Sequence, residues 1–208
     1  MRDEGGSVQE ILSGVHIWSE LSERTGIAFN GYAVATERGT VVIDPPDPGE
    51  SWALIDALAP FEGIFITNRN HSRAAAAFPD RYRVPVRIHR ADAERAKIEA
   101  DETLTGEESV GDDIRLVSAP GKSPGELAFH LPARQALIVG DLVIGAPPGV
   151  LSTYPDEAID DRDALMRSAE RLLDLEFDAL LLCDGDPMPR RGKEKLRAFV
   201  HSQREEER

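Results

Sequence analysis

Four short segments, each close to the end of an apolar run, constrain how this chain can fold. They are ITNRNHSR (Ile66–Arg73), APGKSPGE (Ala119–Glu126), IVGDLV (Ile138–Val143) and LLCDGDP (Leu181–Pro187). In each, glycine, proline or small polar residues follow a β-branched or leucine-rich stretch, a pattern typical of a buried strand that ends in a turn. If the fold brings these strand ends together, their polar side chains form one site.

The rest of the chain has strand-like and helical patterns in two similar halves. In the first half Val15–Leu21 is a predicted strand, Phe29–Ala35 with Thr40–Asp44 a predicted hairpin, and Ala91–Ala100 a predicted helix. In the second half Arg162–Leu175 has leucines on one face and charged residues on the other, which is typical of an amphipathic helix. Two strand-rich halves, each followed by helices, predict two packed sheets with helices outside.

Length and composition fit one globular domain over residues 1–208, with 41% hydrophobic and 30% charged residues. No apolar run approaches the roughly 20 residues that cross a bilayer, so we expect no membrane partner. The N-terminal sequence MRDEGGSVQE is acidic and polar, unlike a signal peptide. A single cysteine, Cys183, excludes an internal disulfide. We therefore expect a cytoplasmic location.

The chain is strongly acidic, with a formal net charge of −14 at pH 7. A surface of this sign repels the phosphate backbones of nucleic acids. We therefore expect no nucleic-acid partner.

The four segments resemble the motifs of the metallo-β-lactamase-fold superfamily, which includes glyoxalase II-like thioester hydrolases. Its members carry T-H-x-H-x-D-H after a strand, then P-G-H-[ST]-P-G, G-D and G-H-G-[DE]-P. The order and spacing agree from about Val41 to Pro187, and VVID (Val41–Asp44) resembles the family's strand-end aspartate. The resemblance implies an α/β (α+β) fold, a four-layer αββα sandwich, and metal ions that activate water for hydrolysis.

Most of the family's metal-ligand positions hold other residue types in this chain. The residues at these positions are Asn68, Asn70, Ser72, Arg73, Lys122, Asp141 and Asp184. Only Asp141 keeps the family's residue type. Zinc favours imidazole and thiolate ligands, and protonated ammonium or guanidinium groups offer no lone pair. We therefore expect no cofactor, and a metal-free relative of the hydrolases that binds an unknown small molecule without turnover.

The replacements predict a charge-balanced pocket. Lys122 and Arg73 would lie near Asp141 and Asp184, so that two cations balance two carboxylates and no buried charge is left unpaired. Lys122, Asp141 and Asp184 are the candidate catalytic residues. Two alternatives remain. The first is a hydrolase of small ester, thioester or lactone-like substrates that either binds a hard divalent cation at Asp141 and Asp184 or uses no metal. The second is a structural or interaction subunit, such as a homodimer.

Two further residues, His71 and Tyr154, complete the candidate site, and Cys183 lies next to it in the sequence. His71 occupies the variable position between two ligand positions of the first motif, and we interpret it as a structural polar residue rather than a displaced ligand. Tyr154 lies in the loop Ala146–Pro155, which would border the cleft. Cys183 ends an apolar strand and is interpreted as a core residue rather than a nucleophile. The predicted binding pocket contains Asn68, Asn70, His71, Ser72, Arg73 and Tyr154.

Overall fold

Two β-sheets that pack face to face form the centre of the fold in the computed structural model, which describes residues 7–206. The first sheet holds seven strands in sequence order. These strands are β1 Gln9–Leu12, β2 Val15–Leu21, β3 Ala28–Ala35, β4 Thr40–Ile43, β5 Phe61–Ile66, β6 Val86–His89 and β7 Glu102–Leu104. Strands β1 to β4 pair antiparallel, whereas β4 to β7 pair parallel.

The second sheet holds five strands in the order β12-β11-β10-β9-β8. These strands are β8 Ser109–Val110, β9 Ile114–Ser118, β10 Leu127–Leu131, β11 Ala136–Val139 and β12 Ala179–Leu182. Only β11 and β12 pair parallel in this sheet, with the register Ala136 to Ala179 through Val139 to Leu182. The β11–β12 crossover contains an amphipathic helix, as parallel pairing requires a long connection.

Five α-helices cover the outer faces of the sheets in the described residues. They are α1 Trp52–Asp56, α2 Ala77–Tyr82, α3 Arg90–Ala93, α4 Arg162–Leu172 and α5 Gly192–Glu206. Short 3-10 turns occur at Gly49–Ser51, Pro132–Arg134 and Asp156–Ala158. Asp161 precedes helix α4 as its N-cap, and its carboxylate accepts a hydrogen bond from the Ala164 amide and so satisfies one of the free amides of the first turn.

Three apolar layers follow from strand alternation, which sends successive side chains to opposite faces of each sheet. Phe65 and Phe129 meet in the layer between the sheets, with ring centroids 5.9 Å apart. Phe78 of α2 belongs to the layer outside the first sheet, and Leu165 of α4 and Leu196 of α5 belong to the layer outside the second. The predicted four-layer αββα sandwich is thereby confirmed.

The structure corrects several element boundaries. The predicted helix over Ala91–Ala100 ends at Ala93, and the apolar residues beyond it pack against the outer layer from turns instead. The short strands β1, β7 and β8 were not predicted, because two to four residues at a sheet edge give little periodicity. The predicted strand Val15–Leu21 and the hairpin of β3 and β4 are present.

Within residues 7–206, no helix combines the length and the apolar character that a membrane span requires. Residues 1–6, on which the argument against a signal peptide largely rested, lie outside the described part of the chain. The cytoplasmic location, the absence of a nucleic-acid partner and the homodimer stay predictions.

Candidate metal centre

The polar segments predicted from the sequence follow strands that end at one edge of the two sheets. Asp44 follows β4, the loop Thr67–Arg73 follows β5, Asp141 follows β11 and Asp184 follows β12. Hydrogen bonds join the two sheets at this edge, where the Asn30 amide group donates to the carbonyl oxygens of residues 182 and 185. The parallel pairs β4–β5 and β11–β12 therefore present four sets of polar side chains to one buried space.

Asp92 fixes the loop that carries Lys122 against the loop that follows β5. Its carboxylate accepts hydrogen bonds from the Arg69 amide, the Ser123 hydroxyl and the Gly125 amide. Asp92 is fully buried, so these three donors replace its lost water contacts. The two loops are thus held in register without any apolar contact between them being needed.

His71 lies at the centre of the site, with both ring nitrogens facing carboxylates. Its Nδ1 is 2.6 Å from Asp44 Oδ2, and its Nε2 is 2.9 Å from Asp141 Oδ1. Asp184 Oδ1 is 3.9 Å from the same Nε2. Asp44 is itself oriented by Thr67, whose amide and hydroxyl both donate to its carboxylate. The imidazole is therefore fixed in position by the first carboxylate and directed at the other two.

The electrostatic balance around His71 favours its protonated form when no metal ion is present. Burial and the Arg73 charge lower the pKa of His71, but the Asp141 and Asp44 carboxylates outweigh them and raise that pKa well above its ordinary value. Burial likewise opposes ionisation of Asp44, yet its partner His71 holds the Asp44 pKa below the usual range. In the same way, His71 and Lys122 overcome burial to keep the pKa of Asp141 low.

Lys122 and Arg73 lie beside the Asp141 and Asp184 carboxylates, as was expected from the resemblance to the family's motifs. Lys122 Nζ is 3.2 Å from Asp141 Oδ2, and the Arg73 guanidinium nitrogen NH2 is 2.5 Å from Asp184 Oδ1. All four side chains are at least nine-tenths buried. The pairs thus supply the charge compensation that buried carboxylates require.

Tyr154 closes the site from the loop that follows β11. Its hydroxyl is 2.8 Å from Asp141 Oδ1 and also contacts Asp184 Oδ2, and the Lys122 ammonium lies 4.7 Å from its ring centroid. Burial and both carboxylates raise the pKa of Tyr154 far above its usual range, so the hydroxyl keeps its proton. One O–H group can donate to only one of the two carboxylates at a time.

The remaining residues of the predicted pocket play different parts. Asn68 is buried and donates to Glu126 Oε1 at 3.3 Å, whereas Ser72 is buried and its hydroxyl has no hydrogen-bond partner. Asn70, by contrast, does not line the site with the other residues of the predicted pocket. The Asn68 side chain accepts from the Asn70 amide, and in the resulting turn the Asn70 side chain is exposed.

Glu126 was not among the predicted site residues, although it fixes the position of Asp141. Its Oε1 accepts from the Asp141 amide at 2.7 Å, which fixes the backbone that presents Asp141. Burial and the neighbouring Asp141 charge raise the pKa of Glu126 well above its usual range. This shift favours the uncharged form of the buried carboxyl group, and Glu126 Oε2 has no hydrogen-bond partner.

Backbone strain marks two residues of the site. Asp44 has φ 47° and Arg73 has φ 36°, a region that costs a non-glycine residue about 1–3 kcal/mol. Both residues are held there by contacts with the centre: Asp44 by Thr67 and His71, and Arg73 by Asp184. Such strain is more typical of functional sites than of ordinary loops.

Two overlapping groups of side chains could hold a metal ion. One contains His71, Asp141 and Asp184, the other contains Asp44, His71 and Cys183, and in each the ligand atoms lie within 4.8 Å of one another. The expectation that the protein has no cofactor is therefore wrong, and loss of the metal site is not supported. The expectation of no cofactor arose because His71 was interpreted as a structural residue and not as a metal ligand.

The group His71, Asp141 and Asp184 fits a divalent cation chemically. His71 donates Nδ1–H to Asp44, so Nε2 is the nitrogen left to bind a metal, a common arrangement of ligating histidines. Asp141 and Asp184 each have one oxygen directed at a protein cation, as ligating carboxylates usually do. A cation would take the place of the proton on Nε2.

The net charge of the described side chains around the site also favours a bound cation. With His71 neutral, the three carboxylates Asp44, Asp141 and Asp184 face the two cations Lys122 and Arg73, which leaves one uncompensated negative charge. Asp141 Oδ1 and Asp184 Oδ2 both face the single hydroxyl proton of Tyr154, so at any time one of these two oxygens receives no hydrogen bond from the hydroxyl. Both features are consistent with a positively charged ligand between the two aspartates.

The group Asp44, His71 and Cys183 contains a thiol in place of a second carboxylate. Burial and the Asp44 charge raise the pKa of the Cys183 thiol far above its ordinary value, so that it stays protonated when no metal ion is bound. A thiol, unlike a thiolate, is a poor nucleophile. Cys183 therefore behaves as the core residue that the sequence predicted, packed between the sheets.

Comparisons with known families and proteins agree with this geometry. A family model described as the metallo-beta-lactamase superfamily matches residues 12–203. A hydroxyacylglutathione hydrolase from Mesorhizobium japonicum is 29% identical over 119 residues, which cover 54% of this chain and 46% of that protein. The chain thus matches about half the length of this curated relative.

Solved structures share the fold. The protein TTHA1623 in a di-iron-bound form has a TM-score of 0.65 and 26% identity, over 79% of this chain and 91% of that chain. A metallo-beta-lactamase from Pontibacter korlensis has a TM-score of 0.76 and 19% identity, over 94% of this chain and 97% of that one. At this lower identity the second likeness concerns the fold alone.

Proposed function

Because the chain belongs to the metallo-beta-lactamase superfamily, we propose that it is a hydrolase that binds a divalent metal ion through His71, Asp141 and Asp184. One observation carries the proposal: three buried side chains direct ligand atoms to within 4.8 Å of one another, and Asp44 fixes the histidine among them. Such a constellation combines a ligand set with the outer hydrogen bonds that orient it.

The donor types favour a transition metal. Imidazole suits zinc or iron, and carboxylates suit manganese or magnesium, so one imidazole with two carboxylates suits iron, manganese or zinc. The di-iron form of the similar protein TTHA1623 supports iron as the first metal to test. A divalent cation here would supply Lewis acidity, which activates water and polarises a carbonyl group.

The chain's own residues would position the reactants. Lys122 lies at the edge of the centre with 8% of its surface exposed, beside the partly exposed Tyr154. The Lys122 ammonium at this edge can donate a hydrogen bond to the oxyanion that develops when a carbonyl is attacked. Glu126 and Asp44 would keep the aspartate and histidine in place without touching substrate.

Small esters, thioesters and lactones are the substrates that fit this site. All three carry an activated carbonyl with an oxygen that can accept a hydrogen bond from Lys122. The likeness to a hydroxyacylglutathione hydrolase supports hydrolysis of this class. Because His71, Asp141 and Asp184 are almost fully buried, only a small reacting group can reach them.

Metal content and hydrolysis together test the proposal. Protein expressed with iron, manganese and zinc supplied, and purified without chelator, should contain a stoichiometric amount of one of these metals by mass spectrometry. The same protein should hydrolyse a panel of short esters, thioesters and lactones. Asp141→Asn should lose both metal and turnover, whereas Asp112→Asn, at an exposed position, should lose neither. Metal-free wild-type protein that still hydrolyses the panel would contradict the proposed site.

A further inference from the structure

The Tyr154 hydroxyl contacts the two carboxylate oxygens that Lys122 and Arg73 leave free. Lys122 Nζ is 3.2 Å from Asp141 Oδ2, and Arg73 binds Asp184 through Oδ1. Tyr154 Oη lies 2.8 Å from Asp141 Oδ1 and contacts Asp184 Oδ2. The phenol oxygen therefore bridges the one oxygen of each aspartate that faces neither the ammonium nor the guanidinium.

The close contacts around this hydroxyl outnumber the protons that could fill them. His71 Nε2, Asp141 Oδ1, Tyr154 Oη and Asp184 Oδ2 form a continuous series of three contacts. The phenol supplies one proton, and His71 supplies a second only if Nε2 is protonated while Nδ1 donates to Asp44. At least one contact thus brings two lone pairs together without a proton, an arrangement that a cation bound by both atoms would stabilise.

The separations in this series suit neighbouring ligands of one ion. Tyr154 Oη is 2.8 Å from Asp141 Oδ1, and the same oxygen is 2.9 Å from His71 Nε2. Neighbouring ligand atoms of an octahedral cation with bonds of about 2.1 Å lie roughly 3 Å apart. The phenol oxygen is thus as close to Asp141 as the imidazole nitrogen is.

The loop that carries Tyr154 is fixed by contacts that do not involve its hydroxyl. Ile144 and Ser152 exchange two backbone hydrogen bonds of 2.8 and 2.9 Å, and the Ser152 hydroxyl donates to the Ala146 carbonyl at 2.7 Å. The Lys122 ammonium lies 4.7 Å from the Tyr154 ring centroid. The phenol is therefore directed at the centre by the fold of its loop.

An ionised Tyr154 would complete the charge balance of the centre. With His71 neutral, its three carboxylates and two cations leave one negative charge, and a phenolate adds a second, which one divalent cation neutralises. Without metal the phenol keeps its proton, and a bound cation takes the place of that proton. A tyrosine oxygen is a known ligand of haem iron, and imidazole also suits iron.

We propose that Tyr154 is a fourth protein ligand of the ion held by His71, Asp141 and Asp184, through its phenolate oxygen, and that this ligand set favours iron. The inference rests on the proposed function, since it requires an ion at the other three ligands.

Visible absorption and metal affinity test the inference without any measurement of turnover. A phenolate bound to Fe³⁺ absorbs visible light by charge transfer, whereas imidazole and carboxylate ligands alone give no such band. Chelator-stripped protein is loaded with Fe²⁺ without oxygen and then exposed to air, and electron paramagnetic resonance verifies Fe³⁺. We expect wild type to be coloured, with phenolate vibrations in its resonance Raman spectrum.

Tyr154→Phe should lose the colour and bind Mn²⁺ at least about 10-fold more weakly, since even an outer hydrogen bond of a metal site contributes that much. Competition with a chelator measures the affinity. Tyr82→Phe is the matched control, because the Tyr82 hydroxyl bonds Asp56 and not the centre. This control should keep both the colour and the affinity.

The outcomes separate the two proposals. Wild type that binds no metal would overturn the proposed function and this inference with it. Fe³⁺ bound without a phenolate band would overturn only the role of Tyr154, as would equal Mn²⁺ affinity in a Tyr154→Phe protein with a cooperative melting transition. Tighter binding by that variant would show that the hydroxyl obstructs the ion. The wild-type Raman spectrum decides if the variant does not fold, and the Mn²⁺ affinities decide if the iron stays reduced.

Discussion

The Asp44 carboxylate and the His71 imidazole form a hydrogen bond of 2.6 Å from Oδ2 to Nδ1, although 27 residues separate them in the chain. This pair fixes which ring nitrogen faces Asp141 and Asp184, because Nδ1 must carry a proton to donate to Asp44. The contact also joins the end of β4 to the loop after β5. One hydrogen bond thereby links sheet topology to the chemistry of the centre.

Asp44→Asn should weaken metal binding without removing a metal ligand. An amide keeps the size of the carboxylate but not its charge, so it no longer increases the basicity of His71 Nε2. Loss of such an outer hydrogen bond typically lowers metal affinity about 10–100-fold. Competition with a chromophoric chelator measures the affinity, and Asp112→Asn is the surface control. Equal affinities for both variants would show that the Asp44 charge does not strengthen His71 as a metal ligand.

Glu126→Gln and Glu126→Ala should differ sharply in stability. Because burial and the Asp141 charge raise the pKa of Glu126, an uncharged amide should be tolerated at this position, and glutamine keeps an acceptor for the Asp141 amide. Alanine leaves that amide without a partner, which costs about 1–3 kcal/mol. Urea unfolding of chelator-treated protein should therefore place the glutamine variant near wild type and the alanine variant below it. A glutamine variant as unstable as the alanine variant would indicate a buried Glu126 charge.

Much of the fold was predictable because its signals are local. The strand Val15–Leu21 and the hairpin of β3 and β4 follow from alternating apolar residues and a glycine turn. The contacts of Lys122 and Arg73 with aspartates were expected from the resemblance to the family's motifs, which puts these residues at positions that the family's fold brings together. Short edge strands such as Ser109–Val110 depend on neighbours that are distant in sequence.

The role of His71 could not be obtained from spacing. The direction of a loop side chain depends on backbone torsions, and the positive φ values of Asp44 and Arg73 around it are not visible in a motif frame. The useful signal was chemical: His71 is the one imidazole in the segment Ile66–Arg73. Glu126 gave even less signal, since its partner is the backbone amide of Asp141.

Glu108 should make the fold less stable in acid. Burial alone would raise its pKa, but hydrogen bonds from Thr105 and from the Gly106 amide outweigh burial and lower the pKa to about 2. Its folded pKa is thus below the unfolded value, so the stabilisation is complete above about pH 4.5 and is lost as the pH falls towards 2.

Glu108→Gln measures this contribution. Glu108 lies at the surface and is only partly buried, so solvent screening limits the effect to under about 1 kcal/mol. In urea unfolding the variant should be less stable than wild type at pH 7, and the difference should shrink at pH 3. The neighbouring exposed Glu107→Gln serves as the control and should show no such pH dependence. A difference for Glu108→Gln that grows as the pH falls would contradict the assignment.

Gly140→Ala should disturb both the fold and the centre, because no space exists for a side chain between β11 and Asp141. A methyl group there would overlap Glu126 Oε1 and Thr67 Oγ1 and lie 2.8 Å from Thr67 Cβ. Relief of this overlap must move Glu126 away from the Asp141 amide or Thr67 away from Asp44. We expect a loss of about 1–3 kcal/mol in unfolding free energy, together with weaker metal binding.

Gly26→Ala separates the two effects of Gly140→Ala. Gly26 has φ +68° but no atom within 4 Å of an added methyl group, so alanine there strains only the backbone. This change should cost about 1–2 kcal/mol in stability and leave metal affinity unchanged, since Gly26 lies in the loop between β2 and β3. Metal titration of both variants at a temperature where both are folded makes the comparison. Wild-type affinity in Gly140→Ala would mean that the close packing around Gly140 serves stability alone.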